Sequence, residues 1–154
     1  MMKFNFVIVI AATLVLGACA EHSPTSNHDI QQQCRLELEA ARTAIELRDA
    51  GKSRQAMMQT LPPLTPTSTR LLQQLYHIVD EVYAYPDLNQ IIYGTYRFEY
   101  CAQQLRHQPV PSLQDSVEQL QACQLQFGMT VSKQAVDCVH AVFSKQQSTP
   151  FPAQ

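Results

Sequence analysis

The 154-residue chain has no tryptophan, only four glycines, and a modest 16% of Asp, Glu, Lys and Arg. So little glycine argues against a β-sandwich, which needs many tight turns and β-branched runs. The abundance of Gln, Leu and Ala favours helices instead. Cations are not in excess either: eleven Lys+Arg face thirteen Asp+Glu, a net charge of −2. No basic patch exists to neutralise phosphates, so nucleic acid is not expected as a partner. Catalytic signatures are also missing. There is no Gly-x-Ser-x-Gly elbow, no His-Glu-x-x-His pair and no glycine-rich phosphate loop. Neither a cofactor nor an internal repeat is expected.

What is present begins with the first 19 residues. Met1 to Asn5 carries one cation, Lys3, and Phe6 to Leu16 is an apolar run too short to span a bilayer as a finished helix. The run closes on Leu16-Gly17-Ala18-Cys19. An uncleaved membrane anchor and ordinary cleavage after Ala18-Cys19-Ala20 are the alternatives. Cysteine arithmetic separates them from a third reading. The chain has five cysteines, and an exported protein rarely leaves one thiol idle. If Cys19 is chemically occupied, four remain for two bridges.

Leu16-Gly17-Ala18-Cys19 resembles the lipobox of bacterial lipoproteins. That resemblance implies a signal peptide over residues 1–18, a diacylglyceryl group on the Cys19 thiol and an acyl group on its amine. Each buried methylene contributes about 0.8 kcal/mol, so two or three chains anchor durably. Ala20 at the following position, in place of an aspartate, implies the outer membrane with the domain facing the periplasm. Removing residues 1–18 takes away only Lys3, leaving ten Lys+Arg against thirteen Asp+Glu.

The chain after Cys19 reads as a tether (19–28), one helical domain (29–144) and a disordered tail (145–154). His22 and His28 lie on the tether without further ligands close in sequence. Ser26 and Asp29 form a capping-box pattern. Ile30, Cys34, Leu38, Ala41 and Ile45 then recur at helical spacing to about Ala50. Glu37 and Glu39 on this helix read as solvated charge. Gly51 stops it, with Arg48-Asp49 as helix-end charges, and Ser53 caps a short second helix through Leu61. Three prolines make Leu61 to Thr69 a crossing loop, after which Thr67 or Ser68 caps a third helix to about Ala84. Leu71, Leu75, Ile78 and Val82 form its apolar arc, with Gln73, His77, Asp80 and Glu81 opposite. His77 and Glu81, spaced i, i+4, could reach one metal, or form a weak pair on a solvated face.

Tyr85-Pro86-Asp87 restarts the chain as a fourth helix to about His107. All six tyrosines fall between residues 76 and 100. Tyr93, Tyr96, Arg97 and Tyr100 share one side of the fourth helix and form a candidate interaction surface, since tyrosine is enriched where proteins meet partners. The alternative is that a second helix layer covers the rings. Ser112 and Asp115 cap a fifth helix through Phe127. Gly128 ends it, and Thr130 or Ser132 starts a sixth to about Phe143, making an αα-hairpin. Cys123 and Cys138 lie equidistant from the hairpin midpoint, which favours a Cys123–Cys138 bridge and leaves Cys34 for Cys101. Four cysteines allow three pairings, and spacing alone leaves the other two open.

Residues 34–101 resemble small exported bacterial proteins of unknown function. These pair a first-helix cysteine, followed by an Arg-Asp-x-Gly-x-Ser turn, with a cysteine near the end of a later helix; here Cys34, Arg48, Asp49, Gly51, Ser53 and Cys101 match. The resemblance supports Cys34–Cys101 and carries no activity. The expected fold is an all-α bundle of five or six helices stapled by two disulfides. The expected role is a non-enzymatic, lipid-anchored envelope module with a protein partner. The alternative is a metal-dependent periplasmic hydrolase using His77 and Glu81.

Overall fold

The structure, a computed structural model, describes residues 26–128 and 130–147, with the side chains of 145–147 excepted. The expected signal peptide, lipidated Cys19, most of the tether and residues 148–154 lie outside the described residues. Six helices follow in order: α1 Asn27–Asp49, α2 Arg54–Met58, α3 Arg70–Ala84, α4 Gln90–Leu105, α5 Leu113–Phe127 and α6 Lys133–Gln147. There is no strand among the described residues, and no described helix is long and apolar enough to cross a membrane.

Local chemistry sets most boundaries. The Oγ of Ser26, Ser53 and Ser112 accepts from the backbone N–H three residues on, at Asp29, Ala56 and Asp115, each satisfying an otherwise orphaned helix donor. The third cap is Thr69 rather than Thr67 or Ser68. Ser68 Oγ is already engaged by the backbone N–H of Thr65 at 2.7 Å inside the proline-rich loop. The fourth cap is Asn89, whose side chain accepts from Ile91 and Ile92. At its other end α1 closes in a Schellman motif, with Gly51 N–H on Arg48 C=O and Lys52 N–H on Leu47 C=O. Gly51 takes φ +84°, a left-handed value that only glycine adopts at little cost. His107 takes the same place after α4, at φ 56°. The last helix runs to Gln147, beyond the expected tail boundary at residue 145; no proline or glycine interrupts it before that point.

The helix α4 is central. It packs on α1 across one face and on α6 and α5 across the other, while α3 packs on α1 and α2. The main core includes Ala41, Ile45, Ile78, Val82, Ile92, Tyr96, Leu120, Val139 and Phe143, and a smaller cluster surrounds Cys34 and Cys101. Both disulfides form: Cys34–Cys101 joins α1 to α4, and Cys123–Cys138 joins the two helices of the terminal hairpin. The chain is a disulfide-stapled all-α bundle, as its composition and cysteine pattern imply. Gln124 fastens the hairpin to the start of α4, accepting from the Asn89 backbone N–H at 2.7 Å and donating to Asp87 C=O at 2.8 Å. Asn89 Nδ2 donates in turn to Gly128 C=O at 2.8 Å.

Candidate functional site

Where α1, α3 and α4 meet, charged side chains lie inside the bundle. Glu37 on α1 is fully buried and Arg97 on α4 is 1% exposed. Arg97 Nη2 donates to Glu37 Oε2 at 2.8 Å and to Gln74 Oε1 at 2.5 Å, and its Nη1 reaches Glu81 Oε2 at 3.3 Å. The Tyr93 hydroxyl donates to the same Glu81 oxygen at 2.6 Å. Arg70 lies at the edge of the cluster, its Nη2 2.9 Å from Glu37 Oε1. That approach has ion-pair distance without hydrogen-bond alignment; Glu37 Oε1, and separately Arg70 Nε and Arg97 Nε, are buried without hydrogen-bond partners. Two arginines thus face two glutamates, and the charges cancel.

Ring contacts complete the setting. The Arg97 guanidinium carbon stands 4.7 Å over the Tyr100 ring, a favourable placement for a cation on an aromatic face. Arg70 Nη2 also approaches Cys101 Sγ at 3.4 Å, so the cluster abuts the α1–α4 disulfide. Burial opposes the charged form of Arg97 and the Glu81 and Glu37 carboxylates favour it, and the guanidinium stands above its ordinary range. Burial, reinforced by Glu81, pushes the Tyr93 hydroxyl well above its ordinary range, so it stays a neutral donor. An isolated buried cation would cost several kcal/mol; here each is met by a carboxylate.

The expected interaction surface is therefore corrected. Tyr93, Tyr96 and Arg97 are 1%, 0% and 1% exposed, and only Tyr100 is half-buried. Tyr93 and Arg97 are turned into the ion cluster against α3 and α1, and Tyr96 is covered by the terminal hairpin, where Phe143 of α6 packs on it with ring centroids 5.5 Å apart. The Tyr96 hydroxyl donates to Pro111 C=O at 3.0 Å, which satisfies its one polar atom. A second helix layer covers the rings, and they form core. Glu37 is likewise not solvated charge; it is the buried centre of the ion cluster.

The His77 and Glu81 pair does not converge. His77 is exposed, whereas the Glu81 carboxylate turns inward to Tyr93 and Arg97. No cluster of three or more His, Cys, Asp or Glu side chains suited to a metal ion occurs among the described residues. Arg48 does more than sit near a helix end: its Nη1 donates to Val82 C=O at 3.0 Å, fastening the end of α1 to α3.

Among the described residues, two of the surface grooves bear on a ligand or partner. One, of about 450 Å³, is lined by His28, Gln31, Gln32, Arg35 and Phe98 at the start of α1. The other, of about 260 Å³, lies between α1, α2 and α3, with Thr43, Leu47, Met57, Leu61, Leu75 and Val79 on its walls. The second is the more apolar by composition. No family model matches the chain, and neither a curated protein nor a solved structure matches it.

Proposed function

We propose that this chain is a lipid-anchored protein of the bacterial envelope, held by an acylated Cys19 after removal of residues 1–18, and that it acts through protein contacts rather than catalysis. One observation carries the reading. The four cysteines of the described residues pair with each other, which leaves Cys19 as the one cysteine of the sequence with no cysteine to pair with. Its position, directly after Leu16-Gly17-Ala18, is where a lipobox places the thiol that takes lipid. Two disulfides also suit an oxidising compartment. The outer membrane, with the domain facing the periplasm, is the proposed address, on the strength of Ala20.

The ion cluster supports a structural rather than catalytic use of these charges, because two arginines match two glutamates and the Glu37–Arg97 pair at its centre is buried. Roles consistent with a small, rigid, anchored bundle include an immunity or inhibitor protein, an exclusion factor, or a subunit of an envelope complex. Contacts then fall to exposed apolar surface, and the α1–α2–α3 groove replaces the tyrosine face as the place to look.

Intact-mass spectrometry of the chain recovered from envelopes tests the anchor. The expected product begins at Cys19, carries lipid on that residue, and gains the mass of four hydrogen atoms when both disulfides are reduced. Cys19→Ser should abolish the lipid and release the chain from membranes. An unprocessed chain recovered from the soluble fraction, with Cys19 unmodified, would overturn the proposal.

A further inference from the structure

The outer face of α1 carries a stripe that the bundle leaves largely open: Leu36, Thr43 and Leu47 are exposed, and Ala40 is half-buried against the core. Leu36, Ala40, Thr43 and Leu47 fall on one side of the helix at four-, three- and four-residue steps. Leu36 is 54% exposed and Leu47 37% exposed, two of the few large apolar side chains left open among the described residues. Between them Ala40 and Thr43 are small, so another helix can approach closely there. Beside the stripe on one flank lies the apolar groove against α2 and α3, which Thr43 and Leu47 help to wall. On the other flank runs a row of alternating charge, Arg35, Glu39, Arg42 and Glu46, in which the half-buried Arg42 lies 3.9 Å from Glu39 of its own helix.

Both features are centred on nearly the same point of the helix, so that reversal superposes the leucines and exchanges the cations with the anions. Leu36 and Leu47 are equally far from the midpoint between Ala41 and Arg42, and so are Ala40 and Thr43. In the charged row, Arg35 and Glu46, and likewise Glu39 and Arg42, are equally far from the midpoint between Ala40 and Ala41. The two centres differ by one residue, about 1.5 Å along the axis, which long Arg and Glu side chains span easily. Reversal thus maps leucine onto leucine and every cation onto an anion.

We infer that the outer face of α1 is an isologous interface, and that its occupant is the antiparallel α1 of a second copy of this chain. A two-fold axis perpendicular to the helix pair keeps the charged row of both copies on the same side of the interface. Arg35 then meets the partner's Glu46, and Glu39 meets the partner's Arg42. The partner's Leu36 comes opposite Leu47, at the mouth of the apolar groove. A parallel pairing would send the two rows to opposite sides and lose all four charge pairs. Charge order therefore selects both the occupant and its direction. The inference concerns a surface of the folded bundle and does not depend on lipid at Cys19.

Sedimentation velocity on the full chain, purified from cells in mild detergent, reads the state directly. The wild type is expected to be a dimer, and Leu36→Asp should raise its dissociation constant at least about tenfold, the effect of losing about 1.4 kcal/mol. Arg35→Glu and Glu46→Arg should each weaken the dimer, and combining them should restore it, because reversal of both partners recreates the pairs. All four substituted chains should keep wild-type helical circular dichroism, since the three side chains are exposed. A wild type that stays monomeric at the highest attainable concentration overturns the inference. So does a dimer indifferent to Leu36→Asp, or a double charge reversal no better than either single one. Loss of lipidation with the dimer intact would defeat only the anchoring proposal.

Discussion

Arg97 and Glu37 stand 60 residues apart in sequence, yet Arg97 Nη2 lies 2.8 Å from Glu37 Oε2 with both side chains sealed from water. This pair joins α4 to α1 beside the disulfide that joins the same two helices. Buried ion pairs are not automatically stabilising, because removing both charges from water offsets much of their attraction. Breaking one is different, since the surviving charge keeps its desolvation and loses its partner.

Arg97→Ala is accordingly expected to cost about 3–5 kcal/mol, a large share of the roughly 5–15 kcal/mol that stabilises a domain of ordinary size. The double variant Glu37→Met with Arg97→Met should recover much of that loss, because Arg70 and Glu81 are 30% and 24% exposed and can turn to water. Urea midpoints on the oxidised protein measure both. A single-variant loss below about 1 kcal/mol would mean the pair is already hydrated.

Two helix ends give a prediction of opposite signs. Gly51 and His107 each occupy the left-handed position after a helix, at φ 84° and 56°. A side chain there strains the backbone by about 1–2 kcal/mol. Gly51→Ala should lower stability by about 1 kcal/mol although its Cβ meets nothing within 4 Å. His107→Gly should raise stability by up to about 1 kcal/mol. His107 is exposed, so no packing is lost. Thermal denaturation of the two variants should shift the midpoint in opposite directions.

Much of this architecture is legible in the sequence because it rests on short-range chemistry. Serine caps three residues before a backbone donor, glycine after a helix, and cysteines placed symmetrically about a turn all act within a few residues. The third cap was hidden because Thr67, Ser68 and Thr69 are chemically alike, and only the bond from Thr65 to Ser68 distinguishes them. The ion cluster was hidden for another reason: a charged side chain on a helix reads as solvated unless its partner is known, and partners here are 16 to 60 residues away. A signal did exist. Glu37 stands between Cys34 and Ala41 in the step of the buried face, and Arg97 stands four residues from both Tyr93 and Cys101. Polar residues in an apolar register are the places to look for buried pairs.

The two bridges differ in access. Cys34 and Cys101 are both fully buried, whereas Cys123 is nearly so and Cys138 is partly exposed beside a shallow groove. A dithiol reductant under native conditions should therefore open Cys123–Cys138 first, because exchange requires a thiolate to reach a sulfur. Alkylation with mass mapping over time resolves the order. The sequence separations of 15 and 67 residues make the hairpin bridge worth about 3 kcal/mol and the long one about 4 kcal/mol in the chain-entropy model. Replacing Cys34 and Cys101 by alanine should thus lower stability more than replacing Cys123 and Cys138. Simultaneous opening of both pairs would show that reduction proceeds through global unfolding.

Glu99 on α4 yields a pH dependence. It is 5% exposed, and its Oε1 lies 3.2 Å from His140 Nε2 on α6. Burial raises its pKa above the ordinary carboxylate value, and the nearby His140 and Arg106 only partly counter that. A carboxyl whose pKa is higher folded than unfolded binds more protons in the folded state, so its contribution to stability falls as pH rises. The contribution is complete below the unfolded pKa of about 4.3 and is lost as pH climbs through the higher folded value. Glu99→Gln keeps the shape of the protonated side chain and removes the titration. Its melting temperature relative to wild type should therefore be higher at neutral pH than near pH 4, where the two chains should nearly coincide. A gap of the reverse sign would show that the attraction of His140 and Arg106 for the carboxylate outweighs the cost of burying it.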